Sequence, residues 1–186
     1  MAFVRSGWFG HARRSTSTRQ TYTSEEFANR CRSQPTYAEH ARSAVRHELL
    51  TLPYYDVFDW LEAEILSGGR VVLRGEVVRP TTSDDAENRV RRIESVSGVL
   101  NEIQVLSLSP RDSELRIALY RSIYDWNSPL FRYVMRAMPP IHIIVENGRV
   151  TLKGAVATQL ESQLASNAAN HVSGIFEVRN ELRIDN

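Results

Sequence analysis

Cysteine and lysine are almost absent from this chain. Cys31 is the only cysteine of 186 residues, so no disulfide forms within the chain, and the residue says nothing about the redox compartment. Lys153 is the only lysine against 22 arginines, a skew that reflects composition more than function. No run approaches the roughly 18 apolar residues that a membrane-spanning helix needs. A net charge of +1 is also too small for a chain dedicated to neutralising nucleic-acid phosphates. The motifs of catalysis are missing as well. There is no G-x-S-x-G, no phosphate-binding loop and no G-x-G-x-x-G. His11, His40, His47, His142 and His171 share no metal-ligand spacing with one another or with acids. These absences predict a non-enzymatic protein with no catalytic, metal or cofactor site, whose 42% apolar content still supplies a real core.

What is present falls into unlike parts. Residues 1–42 are polar and rich in Ser, Thr and Arg, with 7 basic and 3 acidic residues. Such a segment cannot offset its ordering entropy by burial and is expected to be a basic, mostly disordered tail, with a short helix near Tyr22–Phe27. Met1-Ala2-Phe3-Val4 is followed at once by Arg5, so the tail lacks the apolar stretch of a secretory signal. Cys31, in Asn29-Arg30-Cys31-Arg32, does not lie in a leucine-rich lipidation context.

The remainder repeats itself. Gly69-Arg70-Val71-Val72-Leu73-Arg74-Gly75-Glu76-Val77 matches Gly148-Arg149-Val150-Thr151-Leu152-Lys153-Gly154-Ala155-Val156 at six of nine positions, 79 residues apart. Val96-Ser97-Gly98-Val99 matches Val172-Ser173-Gly174-Ile175 at an offset of 76, which predicts three extra residues in the first copy, near Arg79-Pro80-Thr81-Thr82. Asn101-Glu102-Ile103-Gln104-Val105 then matches Asn180-Glu181-Leu182-Arg183-Ile184 at 79 again. The expected domains are 43–108 and 109–186.

Each copy carries the same order of periodicities. Apolar residues at helical spacing over Ser43–Leu52, and over Asp112–Tyr124 with Asp112 as the cap, predict a first helix. Alternating runs around Gly68-Gly69 or Asn147-Gly148 predict a β-hairpin. A second helix is expected over Ser83–Ser95 or Gln159–His171, with Asp84-Asp85 at a helix N-terminus and Gly98 or Gly174 as terminating glycines. A last strand reaches Val105 or Ile184. The predicted fold class is α+β: two tandem αββαβ domains, each a three-stranded mixed sheet with two helices on one face.

The glycines Gly69, Gly75, Gly98, Gly148, Gly154 and Gly174, with the V-x-G-V and N-x-L-x-V elements that follow, resemble the signature of the BON domain, the bacterial osmotic-stress and nodulation family. The resemblance spans about residues 43–186. It implies a non-enzymatic cell-envelope module, periplasmic or membrane-associated, that binds phospholipid surfaces or supports envelope integrity and osmotic-stress tolerance.

One segment of the second copy suits that role. Tyr120, Arg121, Tyr124 and Trp126, with Phe131, Arg132, Tyr133 and Arg136, interleave rings with guanidinium groups, as at a lipid headgroup layer. The competing reading is core packing, because Leu119, Ile123, Leu130, Val134 and Met138 fall at helical spacing. The matching stretch Tyr54-Tyr55-Asp56-Val57-Phe58-Asp59-Trp60 carries acids instead of Arg, in a first copy with 7 basic and 11 acidic residues. The expected partner is therefore an anionic phospholipid surface met by the second copy. The alternative is a structural assembly module acting through a protein partner or a homo-oligomer, and no nucleic-acid partner is expected.

Overall fold

The computed structural model describes residues 37–136 and 138–185. Residues 1–36 of the segment expected to be a disordered tail, with its short helix and Cys31, lie outside the described residues. The elements in chain order are α1 (Tyr37–Leu50), β1 (Trp60–Ile65), β2 (Arg70–Val77), α2 (Pro80–Arg91) and β3 (Gly98–Val105). They recur as α3 (Pro110–Ile123), β4 (Ile141–Glu146), β5 (Arg149–Val156), α4 (Gln159–Asn170) and β6 (Glu177–Ile184). The strand order is β1-β2-β3 in one sheet and β4-β5-β6 in the other. The hairpin pairs run antiparallel and the third strand runs parallel to the second, so each sheet is mixed, as the repeat predicts.

Binary patterning explains the layers. Val45 and Leu49 of α1 meet Val71 and Leu73 of β2 and Ala86 and Val90 of α2 in the first core. Leu115, Leu119 and Ile123 of α3 meet Ile143 and Val145, Val150 and Leu152, and Ala165 and Ala169 in the second. The start of α4 is fixed locally: Thr158 Oγ1 accepts the Glu161 N–H at 3.2 Å while Glu161 accepts the Thr158 N–H, a reciprocal cap.

Four expectations shift. Helix α1 begins at Tyr37, inside the segment read as tail. Helix α2 begins at Pro80, whose missing N–H costs nothing in a first turn, so Asp84 and Asp85 sit past the first turn rather than at the N-terminus. The cap of α3 is Ser109, whose Oγ accepts the Asp112 N–H at 3.3 Å. Asp112 itself is buried and accepts the N–H groups of Asn147 and Gly148, both at 2.9 Å, tying the helix start to the hairpin turn.

The fourth concerns the repeat. The three extra residues expected between the hairpin and the last strand of the first copy are not there; the one extra residue of that copy lies in its first hairpin turn, where five residues separate the paired Ile65 and Val71 and four separate Val145 and Val150. Arg70 pairs with Gly98 and Arg149 with Glu177, so Gly98 is equivalent to Glu177 at the same offset of 79 as the hairpins. The Ser97 N–H to Gly69 O bond and the Phe176 N–H to Gly148 O bond, both 2.9 Å, repeat at that offset too. The Val-Ser-Gly match at 76 is therefore not a structural equivalence. Gly98 opens β3 with no positive φ, whereas Gly174 has φ 94°. A further detail is duplicated: Asn101 Nδ2 donates to Ser83 Oγ at 3.1 Å, and Asn180 Nδ2 to Ser162 Oγ at 2.9 Å, each joining the last strand to the second helix.

The repeats exchange residues. Val57 and Phe58 pack into the second core, and Met138 packs against the first. The Ile143 N–H donates to Val57 O at 2.8 Å, covering the edge of β4. His142 Nδ1 lies 2.6 Å from Asp59 O, and its ring meets Trp60 edge-on at 5.1 Å. Lys153 Nζ pairs with Glu76 at 3.0 Å, and Gln104 Nε2 donates to Glu146 Oε1 at 3.0 Å. Strand β4 is thus buried on both faces, which explains its unbroken run Ile141-His142-Ile143-Ile144-Val145.

Candidate functional site

The aromatic and arginine-rich residues singled out in the second repeat lie on α3 and on the connection from α3 to β4. That connection is built by short caps. Asp125 Oδ1 accepts the Asn127 N–H at 2.8 Å, and Ser128 Oγ accepts the Leu130 N–H at 3.2 Å, opening a 3-10 turn over Pro129–Tyr133. Leu130 is fully buried and anchors the turn in the second core.

The eight residues divide between inside and outside. Tyr124 is buried, and its hydroxyl donates to Ile141 O at 2.8 Å. Burial pushes its phenol well above the usual range, partly offset by that bond. Tyr133 is also buried; its hydroxyl donates to Glu161 Oε2 at 2.9 Å and accepts the Ala157 N–H at 3.2 Å. Tyr120 is half-buried, edge-on to Phe58 at 6.3 Å. These three tyrosines hold the repeats and the turn together and are not exposed rings.

The other five face outward to different degrees. Trp126 is 77% exposed, with its ring 4.7 Å from the half-buried Phe131. Arg121 is exposed on the last turn of α3. Arg132 pairs with the buried carboxylate of Glu161, and both Arg132 and Arg136 place their guanidinium carbons 5.1 Å from the Tyr133 ring centroid. Met135, which the aromatic pattern passed over, is 79% exposed between those two arginines in sequence. The connection therefore presents Trp126, Phe131 and Met135 beside Arg121, Arg132 and Arg136.

The equivalent stretch of the first repeat differs in charge and in use. Asp59 is buried, with Oδ1 accepting the Val78 N–H at 2.7 Å and Oδ2 the Asp56 N–H at 3.3 Å. Burial pushes its carboxyl up to about 6. Tyr54 is the exposed ring there, with the Arg79 guanidinium 5.0 Å from its centroid. Among the described residues, no three His, Cys, Asp or Glu side chains are placed to hold a metal ion, and no helix is long and apolar enough to cross a membrane.

Four of the six signature glycines are explained by the backbone. Gly75 (φ 131°) and Gly154 (φ 117°) lie where β2 and β5 cross the hairpin partner, and a Cβ on either would sit 1.9 Å from Trp60 O or Pro140 O. Gly69 and Gly148 turn the two hairpins at φ 77° and 73°.

Among curated proteins no match was found. Two solved structures are similar in part, both of CdsD, described as the structural protein of the type III secretion system of Chlamydia trachomatis. One is 12% identical over 78% of this chain and 92% of that one, with a TM-score of 0.30. The other, its C-terminal domain, is 12% identical over 77% and 96%, with a TM-score of 0.28. Neither likeness is close enough to carry an argument. The family pattern described as the BON domain matches residues 39–107, the first copy from its first helix to its last strand, and again 134–186, the hairpin, second helix and last strand of the second copy, and the chain belongs to the BON domain family.

Proposed function

We propose that the protein binds anionic phospholipid surfaces peripherally through the α3–β4 connection of its second repeat and so supports cell-envelope integrity or osmotic-stress tolerance. The observation that carries this reading is the pair Trp126 and Met135, 77% and 79% exposed on one connection that also carries Arg132 and Arg136, with Arg121 on the last turn of α3 before it. An indole and a thioether reach the headgroup boundary, and guanidinium groups meet lipid phosphate. Each arginine near such a surface contributes about 1 kcal/mol, so three suffice only together with the inserted apolar groups. Membership of the BON domain family supports a binding or structural module rather than a catalyst, and an envelope or periplasmic setting.

The test is co-sedimentation with vesicles of phosphatidylcholine with and without phosphatidylglycerol. Binding that needs the anionic lipid and weakens with salt is expected; equal absence of binding to both sinks the reading.

A second reading, assembly through protein contacts, draws on the strands β3 and β6, which end their sheets and expose Leu100 and Ile184. A salt-stable oligomer by light scattering without lipid would favour it.

A further inference from the structure

A cleft of about 720 Å³ runs between the two repeats, bounded by α1 and β1 on one side and by the residues leading into β4, with β5 and the end of β6, on the other. That volume is the size of a small-molecule site, not of a protein groove. Its apolar lining includes Leu49, Leu61 and Met138, and Leu50 stands 48% exposed on the lip. Trp60 also lines it, and its indole Nε1 is buried without a hydrogen-bond acceptor among the described residues.

The charge of the cleft is unlike that of the first repeat as a whole. Arg42 and Arg46 lie one turn apart on α1, and Arg136 and Arg183 approach from the second repeat, against only Glu62 and Asp185. Among the described residues, Arg42, Arg46 and Arg183 have no ion-pair partner. Four guanidinium groups over an apolar floor complement a ligand that is anionic at one end and hydrocarbon at the other, because guanidinium forms paired hydrogen bonds with phosphate and carboxylate oxygens. Neither a neutral apolar molecule nor a free anion would use both halves of that lining.

We infer that the cleft takes a single acyl chain carrying an anionic headgroup, the headgroup meeting the arginines and the chain lying against Leu49, Leu61 and Met138. This rests on the membrane-surface reading only for where the amphiphile comes from. Arg136 belongs both to the cleft and to the exposed connection, so the cleft opens beside the proposed membrane contact.

The two ideas separate in solution. The full chain is titrated, without vesicles, with lauroyl lysophosphatidylglycerol below its micellar concentration, and with lauroyl lysophosphatidylcholine as the zwitterionic control. Saturable binding that favours the anionic lipid is expected. Arg42→Glu with Arg46→Glu, on exposed helix positions, is expected to weaken it about tenfold or more. Ala63→Trp, which fills the cleft from β1, is expected to abolish it, while Trp126→Ala leaves it unchanged and lowers only vesicle binding. The proposal is overturned if no saturable binding occurs, if both lipids bind alike, or if the folded double arginine variant binds as the unaltered chain does.

Discussion

Phe58 and Met138 are equivalent residues, 80 positions apart, and each packs against the core of the other repeat. The equivalence follows from register: Leu61 faces Gly75 and Ile141 faces Gly154, so the segments leading into β1 and β4 correspond. The duplication therefore yields a reciprocal exchange rather than two beads on a string. Phe58→Ala is expected to destabilise the whole chain by about 1–2 kcal/mol, as for a half-buried ring, and to move one common denaturant transition. Two separate transitions, with only the first repeat shifted, would contradict the coupling.

Glycine substitutions separate crowding from backbone preference. Gly154→Ala brings a Cβ within 1.9 Å of Pro140 O and needs β4 and β5 to part, so a loss of more than about 3 kcal/mol is expected. Gly68→Ala meets nothing within 4 Å at φ 78° and is expected to cost only about 1 kcal/mol. Thermal or urea unfolding of both variants checks the order.

Much of this fold is legible in the sequence because the repeat appears twice. Hairpin turns, alternating strands and helical spacing mark each copy independently, and Gly75 and Gly154 are fixed by backbone clashes that a Cβ would create. What misleads is local identity: Val96-Ser97-Gly98 copies Val172-Ser173-Gly174 in letters but lies three residues out of structural register. The polar anchors are also hidden. Asp112 is buried and accepts backbone N–H groups 35 and 36 residues away, and the buried Glu161, besides its local cap, meets Arg132 and the Tyr133 hydroxyl 29 and 28 residues away, which no spacing rule reveals. The aromatic segment shows its composition but not which rings point inward, since Tyr124 turns into the core at the end of α3 and Tyr133 at the end of the 3-10 turn.

The joint between the repeats holds two groups with opposing pH dependence. Burial holds His142 below its ordinary 6.5, opposed by hydrogen bonding of its ring to the Asp59 and Asp56 backbone carbonyls and by the Asp56 charge. Its contribution to stability is present above 6.5 and lost as pH falls below it. Asp59, raised by burial from 3.8 to about 6 with Asp56 adding to the rise and Arg79 opposing it, contributes fully below 3.8 and loses that contribution as pH rises through 6. Between about pH 7 and about pH 5, the unaltered chain is expected to lose stability relative to His142→Phe and to gain it relative to Asp59→Asn. Unfolding free energies at a series of pH values read both slopes, and parallel slopes would refute the assignment.

Stability and membrane binding are expected to separate within the α3–β4 connection. Trp126 is mostly exposed with its ring beside Phe131, so Trp126→Ala removes little packing and is expected to leave the unfolding midpoint nearly unchanged. Vesicle affinity is expected to fall several-fold, and Trp126→Ala with Met135→Ser to fall further. Tyr133→Phe has the opposite profile. It deletes the hydroxyl that donates to Glu161 and accepts from Ala157 N–H, leaving buried polar groups short of a partner at about 1–3 kcal/mol. Its vesicle affinity, measured well below the unfolding midpoint, is expected to match the unaltered chain. Were Tyr133→Phe to abolish binding in the folded state while Trp126→Ala had no effect, the exposed indole would not be the anchor and the surface would have to be sought elsewhere on the second repeat.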